Sequence, residues 1–143
     1  MAAVLQASGM HLPTRANTAS IDPQRKLLWL SPDEWMLKTR DRQGAAVAAA
    51  LRQSLHGLHS AVVEAGHGNT TLSVEGPGAA GLLARGCPLD LHVRDFPSGS
   101  LAQSHVAKAN VTLLCLKGGT HYELTVRRSF ADYLFHWLSA AGA

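Results

Sequence analysis

Val111-Thr112-Leu113-Leu114-Cys115-Leu116-Lys117-Gly118-Gly119-Thr120-His121-Tyr122-Glu123-Leu124-Thr125-Val126 is the stretch on which the fold turns. Apolar runs at 111–116 and 121–126 flank a Gly118-Gly119 turn, the composition of an antiparallel hairpin. Phe130, Leu134, Trp137 and Leu138 then recur at helical spacing, and Ser129 and Asp132 can cap the start of that helix. The expected order is strand, turn, strand, helix.

An earlier part of the chain repeats this order. Lys26-Leu27-Leu28-Trp29-Leu30 has strand length, Ser31-Pro32-Asp33 turns the chain, and Glu34-Trp35-Met36-Leu37-Lys38-Thr39 returns as a second strand. Val47, Leu51, Leu55 and Leu58 line one helical face, and alanines at 45, 46, 48, 49 and 50 permit close approach to a sheet. Identity between the two blocks is low, so the echo is architectural. Two strand–turn–strand–helix modules sharing one sheet predict an α+β fold, an antiparallel or mixed sheet with helices on one face.

Between the modules, residues 60–64 and 70–75 read as strands around a Gly66-His67-Gly68-Asn69 turn. Pro77 suits the first turn of a helix running to about Arg85, with Gly86 as its left-handed stop and Pro88 barring continuation. Residues 89–100 read as connection and 102–107 as a further strand. Residues 1–24 show little periodicity, and Pro13 and Pro23 push their predecessors towards extended conformations. The expected organisation is an extended N-terminal segment, 1–24, lying across a single domain, 25–143.

Composition bounds the function. The chain has 143 residues, 46% of them hydrophobic and 16% charged, enough apolar material for one packed core. Thirteen Lys and Arg against ten Asp and Glu leave +3. The basic residues are scattered, with Arg25-Lys26 and Arg127-Arg128 the adjacent pairs, so nothing tracks a phosphate backbone and no nucleic acid partner is expected. The longest apolar run, 45–51, is too short to span a bilayer. The first residues lack the plan of a secretory signal. Cys87 and Cys115 supply neither a disulfide framework nor metal-ligand spacing. A soluble, reduced, cytoplasmic domain is the expectation.

Gly76-Pro77-Gly78-Ala79-Ala80-Gly81 has the glycine spacing of a dinucleotide turn between a strand and a helix, with Asp95 beyond it. Pro77 removes an amide from the cradle, and Gly86-Cys87-Pro88 ends the helix after about two turns. A tight strand-to-helix turn is the better reading. His56 and His59 are three apart but lie where the helix ends at Gly57, and the eight histidines form no zinc pattern. Cys87 falls at a helix C-terminus and Cys115 inside an apolar strand, poor settings for a thiolate nucleophile. No G-x-S-x-G occurs, and the adjacent carboxylates Asp33 and Glu34 diverge in a turn. The expectation is no catalytic, cofactor or metal site in this chain.

Binding surface remains. Trp29, Trp35, Trp137, Tyr122 and Tyr133 are spread over strands and the last helix, and Trp35 with Leu37 shares one strand face while Met36 takes the other. Trp and Arg are the residues most enriched at interface hot spots, although aromatics also fill cores.

Three blocks carry a resemblance to a known family. They are Leu28-Trp29-Leu30-Ser31-Pro32-Asp33-Glu34-Trp35-Met36-Leu37; Val74-Glu75-Gly76-Pro77-Gly78-Ala79-Ala80 with Leu82-Leu83-Ala84-Arg85-Gly86-Cys87-Pro88-Leu89-Asp90-Leu91; and Val126-Arg127-Arg128-Ser129-Phe130-Ala131-Asp132-Tyr133-Leu134 with Trp137-Leu138. Together they resemble the gamma subunit of heterotetrameric sarcosine oxidase. The Gly-Cys-Pro-Leu-Asp-Leu and Arg-Ser-Phe-Ala-Asp-Tyr segments are the specific ones.

The resemblance implies a fold similar to the N-terminal folate-binding domain of the glycine cleavage T-protein. It also implies an accessory, non-catalytic role in a flavoenzyme that demethylates N-methylglycine and feeds one-carbon units to tetrahydrofolate. FAD, FMN, NAD, folate and zinc then belong to the alpha, beta and delta partner subunits. Trp35, Asp90, Arg127 and Arg128 lie in matching segments and are the expected partner contacts. Gamma subunits usually carry several tens of residues before the Leu12-Pro13-Thr14 stretch, near which this chain begins. Either those strands are dispensable, or a partner or second copy covers an exposed sheet edge. The rival expectations are a stand-alone domain binding folate or a nucleotide, and a homo-oligomer.

Overall fold

A computed structural model describes residues 2–40 and 42–142. The chain divides into two compact units, Met1–Ala65 and Gly66–Ala143.

The first unit contains a short helix, Ala2–Ser8 (α1), three strands, Ala19–Ile21 (β1), Arg25–Ser31 (β2) and Glu34–Thr39 (β3), and a helix, Gly44–Ser54 (α2). The strands form an antiparallel sheet in the order β1-β2-β3. Pro32-Asp33 closes the β2–β3 turn, Ser31 Oγ bonds Asp33 Oδ1 at 2.6 Å, and Trp29 stands opposite Trp35 in register. Leu27, Leu28, Val47 and Ala48 are buried, and α1 packs on α2.

Residues expected to be featureless thus carry both α1 and β1. Ser8 stabilises the exit from α1, since its Oγ bonds Val4 O at 2.6 Å and receives the Met10 N–H at 3.2 Å. Arg25 Nη1 donates to the Ser8 carbonyl. The apolar face of Val4, Leu5 and neighbours was too short to show a period; docking on α2 makes it a helix.

The second unit opens with a 3₁₀ turn, Gly66–Gly68, followed by Asn69–Glu75 (β4), Ala79–Ala84 (α3), Leu101–Val106 (β5), Ala109–Lys117 (β6) and His121–Arg127 (β7). A 3₁₀ turn, Arg128–Phe130, leads into Ala131–Gly142 (α4). The four strands are antiparallel in the order β4-β7-β6-β5. Alternation places Val74, Tyr122, Leu124, Val126, Val111, Leu113, Cys115 and Val106 on one face. Leu83 of α3 and Leu134 and Leu138 of α4 complete that core.

The α+β class with antiparallel strands holds, and both modules are present. They do not share a sheet: β2–β3–α2 belongs to the first sheet and β6–β7–α4 to the second. Periodicity marks each strand's faces but not which hairpins join, because that choice is made by non-local pairing. Residues 60–64 form no strand, since no neighbouring strand supplies a ladder.

Gly86 does not have the left-handed backbone expected of a helix stop. Its requirement is space. A Cβ there would stand 2.6 and 2.8 Å from Trp137 Cη2 and Cζ2 and 3.0 Å from the Ala107 N, which itself donates to Gly86 O at 2.9 Å. Gly86→Ala should therefore cost about 1–3 kcal/mol by overpacking, read as a lower urea midpoint without change in slope.

Candidate partner interface

Arg127 ends β7 and Arg128 opens the turn into α4, so the strand hands two exposed cations to a helix start. Among the described residues neither makes an ion pair. Phe130 and Tyr133 follow within a few residues, 43% and 38% exposed, their rings edge to face at 6.4 Å. The Lys108 N–H reaches Tyr133 Oη at 3.3 Å, which brings the β5–β6 turn to the same place. That turn has Ala107 in the left-handed region, φ 50°, a conformation side chains rarely adopt. The strand-to-helix junction thus exposes Arg128, Phe130 and Tyr133 close together in sequence, while Arg127 alternates onto the sheet face away from the core, its Nη1 near Gly68. Exposed Arg and aromatic side chains are types enriched at interfaces.

The other expected contacts lie elsewhere. The Asp90 carboxylate accepts its own chain's His92 N–H at 2.9 Å, a turn-forming bond in the exposed connection before β5. Trp35 belongs to the first unit. Its indole N–H donates to Pro13 O at 2.8 Å, and Ser20 Oγ donates to His11 O at 2.7 Å, so together they hold residues 11–13 on the β1–β3 sheet. The arginine pair is exposed at the strand-to-helix junction, and the Trp35 indole N–H is bonded inside its own unit. Phe130 and Tyr133 are the residues that sequence reasoning misplaced or left general. Helical spacing groups Phe130 with Leu134 and Leu138, but it precedes the first residue of α4 and is exposed where they are buried.

Ser73, Glu75 and His121 form a polar cluster on the sheet face away from the core. Glu75 Oε1 and Ser73 Oγ both lie 3.1 Å from the same nitrogen, His121 Nε2, and Ser73 Oγ donates to Glu75 Oε1 at 2.8 Å. A nucleophile relay needs the acid on one ring nitrogen and the hydroxyl on the other. This arrangement is a surface hydrogen-bond cluster. At the glycine turn, Ala79 N donates to Gly76 O at 3.1 Å and Ala80 N to Gly119 O at 3.4 Å. Two amides that could face a phosphate are already used, which fits a tight strand-to-helix turn. Among the described residues, no group of three or more His, Cys, Asp or Glu could hold a metal ion. No described helix is long and apolar enough to cross a membrane.

Inside the second unit, Tyr122 ties the long connection to the sheet. Its Oη donates to Leu91 O at 3.2 Å and accepts the Gly119 N–H at 3.1 Å, while its ring stacks on Phe96 at 6.4 Å. Burial pushes the Tyr122 phenol above its usual pKa, the Cys115 thiolate adds to this, and the Gly119 N–H opposes it. Burial likewise raises Cys115. Both groups bind their protons more tightly when folded. Their stabilisation is complete below the unfolded values of 9.0 and 10.0 and is lost as pH rises through the folded ones. Urea stability should therefore decline above about pH 9, and Cys115→Val should flatten the earlier part of that decline.

The chain has clear relatives. The Sarcosine oxidase, gamma subunit family matches residues 1–143. Sarcosine oxidase subunit gamma of Corynebacterium sp. (strain U-96) is 31% identical over 138 residues, and that of Arthrobacter sp is 30% identical over the same length. Each alignment covers 96% of this chain and 66% of the relative, so the chain spans slightly less than two thirds of these curated relatives. Among solved structures, the fold matches a chain of the heterotetrameric sarcosine oxidase from Corynebacterium sp. U-96 in complex with pyrrole 2-carboxylate. The TM-score is 0.90 at 30% identity, covering 98% of this chain and 71% of that one.

Proposed function

This chain belongs to the sarcosine oxidase gamma subunit family, and from that premise we propose that it is the accessory, non-catalytic subunit of a sarcosine oxidase-type flavoenzyme. In this reading the complex oxidatively demethylates N-methylglycine in the cytoplasm and passes one-carbon units to tetrahydrofolate. The alpha, beta and delta chains carry FAD, FMN, NAD, folate and zinc. The α+β architecture is related to the folate-binding domain of the T-protein, here used for assembly.

The observation that carries the proposal is the likeness of nearly the whole chain to one chain of a heterotetrameric assembly. The exposed residues Arg127, Arg128, Phe130 and Tyr133 support it with side chains of the types enriched at interfaces. β7 and α4 are anchored to the core through Val126 and Leu134, so the backbone that carries these residues is ordered before binding. Co-expression with the alpha, beta and delta chains followed by size exclusion should place all four in one peak. Elution of this chain apart from them would refute the assignment. Millimolar folates, NAD or flavins should leave the melting temperature of the isolated chain unchanged, since a ligand that binds only the folded state raises it.

A further inference from the structure

We infer that residues 60–64 form a strand on assembly, pairing with an edge strand of another subunit of the proposed complex, so that a sheet crosses the subunit boundary. The inference rests on the function proposed above. Ser60-Ala61-Val62-Val63-Glu64 has the composition of a strand, with adjacent β-branched residues and neither Gly nor Pro. In the chain alone it forms neither helix, turn nor ladder. Among the described residues, none of its five N–H groups has a hydrogen-bond partner. Of its carbonyls, only that of Val62 accepts among the described residues, from Arg52 Nε at 3.3 Å and Nη2 at 3.0 Å. The same guanidinium pairs with Glu64 at 3.5 Å, which fastens the segment to α2. Val63 is 81% exposed and the nearby Leu58 61%, the two most exposed large hydrophobic residues described.

These facts also select an edge. Along a strand, successive residues direct their N–H and C=O groups to opposite edges. Arg52 occupies the Val62 edge, so Ala61 and Val63 present the free one, with β-strand addition the recognition mode it suits. The size of the segment selects the occupant. Five residues bury far less than the roughly 1,200 Å² of a stable pairwise interface. The strand would not hold a second copy by itself, whereas it suits one seam of a larger contact between permanently associated subunits.

Amide hydrogen exchange, measured on the isolated chain and on the co-expressed four-chain complex, tests this directly. Exchange at Ala61 and Val63 should slow by at least about tenfold on assembly. Val63→Pro, which removes a ladder donor, should weaken co-elution more than Val62→Pro, whose lost N–H lies on the Arg52 edge. Both variants should melt like the parent chain, because neither amide is bonded within it. A complex that forms while these amides stay unprotected overturns the inference and leaves the proposed function standing. Failure of the parent chain to join the complex overturns both. Protection that depends on the concentration of the isolated chain, and does not increase in the complex, assigns the strand to a second copy and overturns the inference.

Discussion

Tyr122→Ala is expected to destabilise the second unit by about 3–5 kcal/mol, the range for removing a large aromatic from a packed core. The side chain is fully buried between Val74 and Cys115 in register, so deletion leaves a cavity in the core at the end of the sheet next to the β6–β7 turn. It also removes the stack on Phe96 and strands the Leu91 carbonyl and the Gly119 amide. Domains of this size are stable by only about 5–15 kcal/mol, so the variant should be partly unfolded at physiological temperature. Tyr122→Phe separates the two contributions. It keeps the ring and should lose about 1–3 kcal/mol, the cost of leaving buried polar groups unpaired. Urea unfolding of both variants by far-UV circular dichroism checks this. Equal stability of Tyr122→Phe and the parent would mean that the connection over residues 89–100 is held by Leu91 and Phe96 packing alone.

The double reversal Arg127→Glu with Arg128→Glu should abolish co-elution with the partner subunits while the isolated chain keeps its melting temperature. Both side chains are exposed and unpaired among the described residues, so their replacement disturbs no internal bond. Against an acidic partner surface, like charges would replace attraction. Truncating a single hot-spot arginine costs about 2 kcal/mol or more, so a loss of at least about 30-fold in affinity is expected. Binding of the parent should weaken with added salt, because exposed charges are screened beyond about 10 Å at 0.1 M. Undiminished assembly of the double variant would move the interface away from these residues.

The two hairpins were legible because each combines apolar runs of strand length with turn chemistry inside a few residues. Ser31-Pro32-Asp33 and Gly118-Gly119 mark their turns locally, and the observed strands Glu34–Thr39 and His121–Arg127 follow those marks closely. The arginine pair was legible as a charge feature. Phe130 was not placed correctly, because it lies in a 3₁₀ turn ahead of the helix and is exposed there. Residue type marked Trp35 as an anchor, and only the structure shows that its indole N–H is bonded to Pro13 within the first unit.

By itself, then, the order of residues determined the α+β class, the antiparallel hairpins, the stripes of apolar side chains and the family to which the chain belongs. Tertiary structure alone decided that the hairpins fall into two sheets, that 2–8 is helical, and that 60–64 is left without a ladder. It also decided that Gly86 is needed for space beside Trp137 rather than for its torsion angle. The division has one physical origin. Turns and periodicities are set by neighbours along the chain, whereas strand pairing, helix docking and the clearance around a Cβ are set by groups far apart in sequence, whose meeting no local pattern encodes.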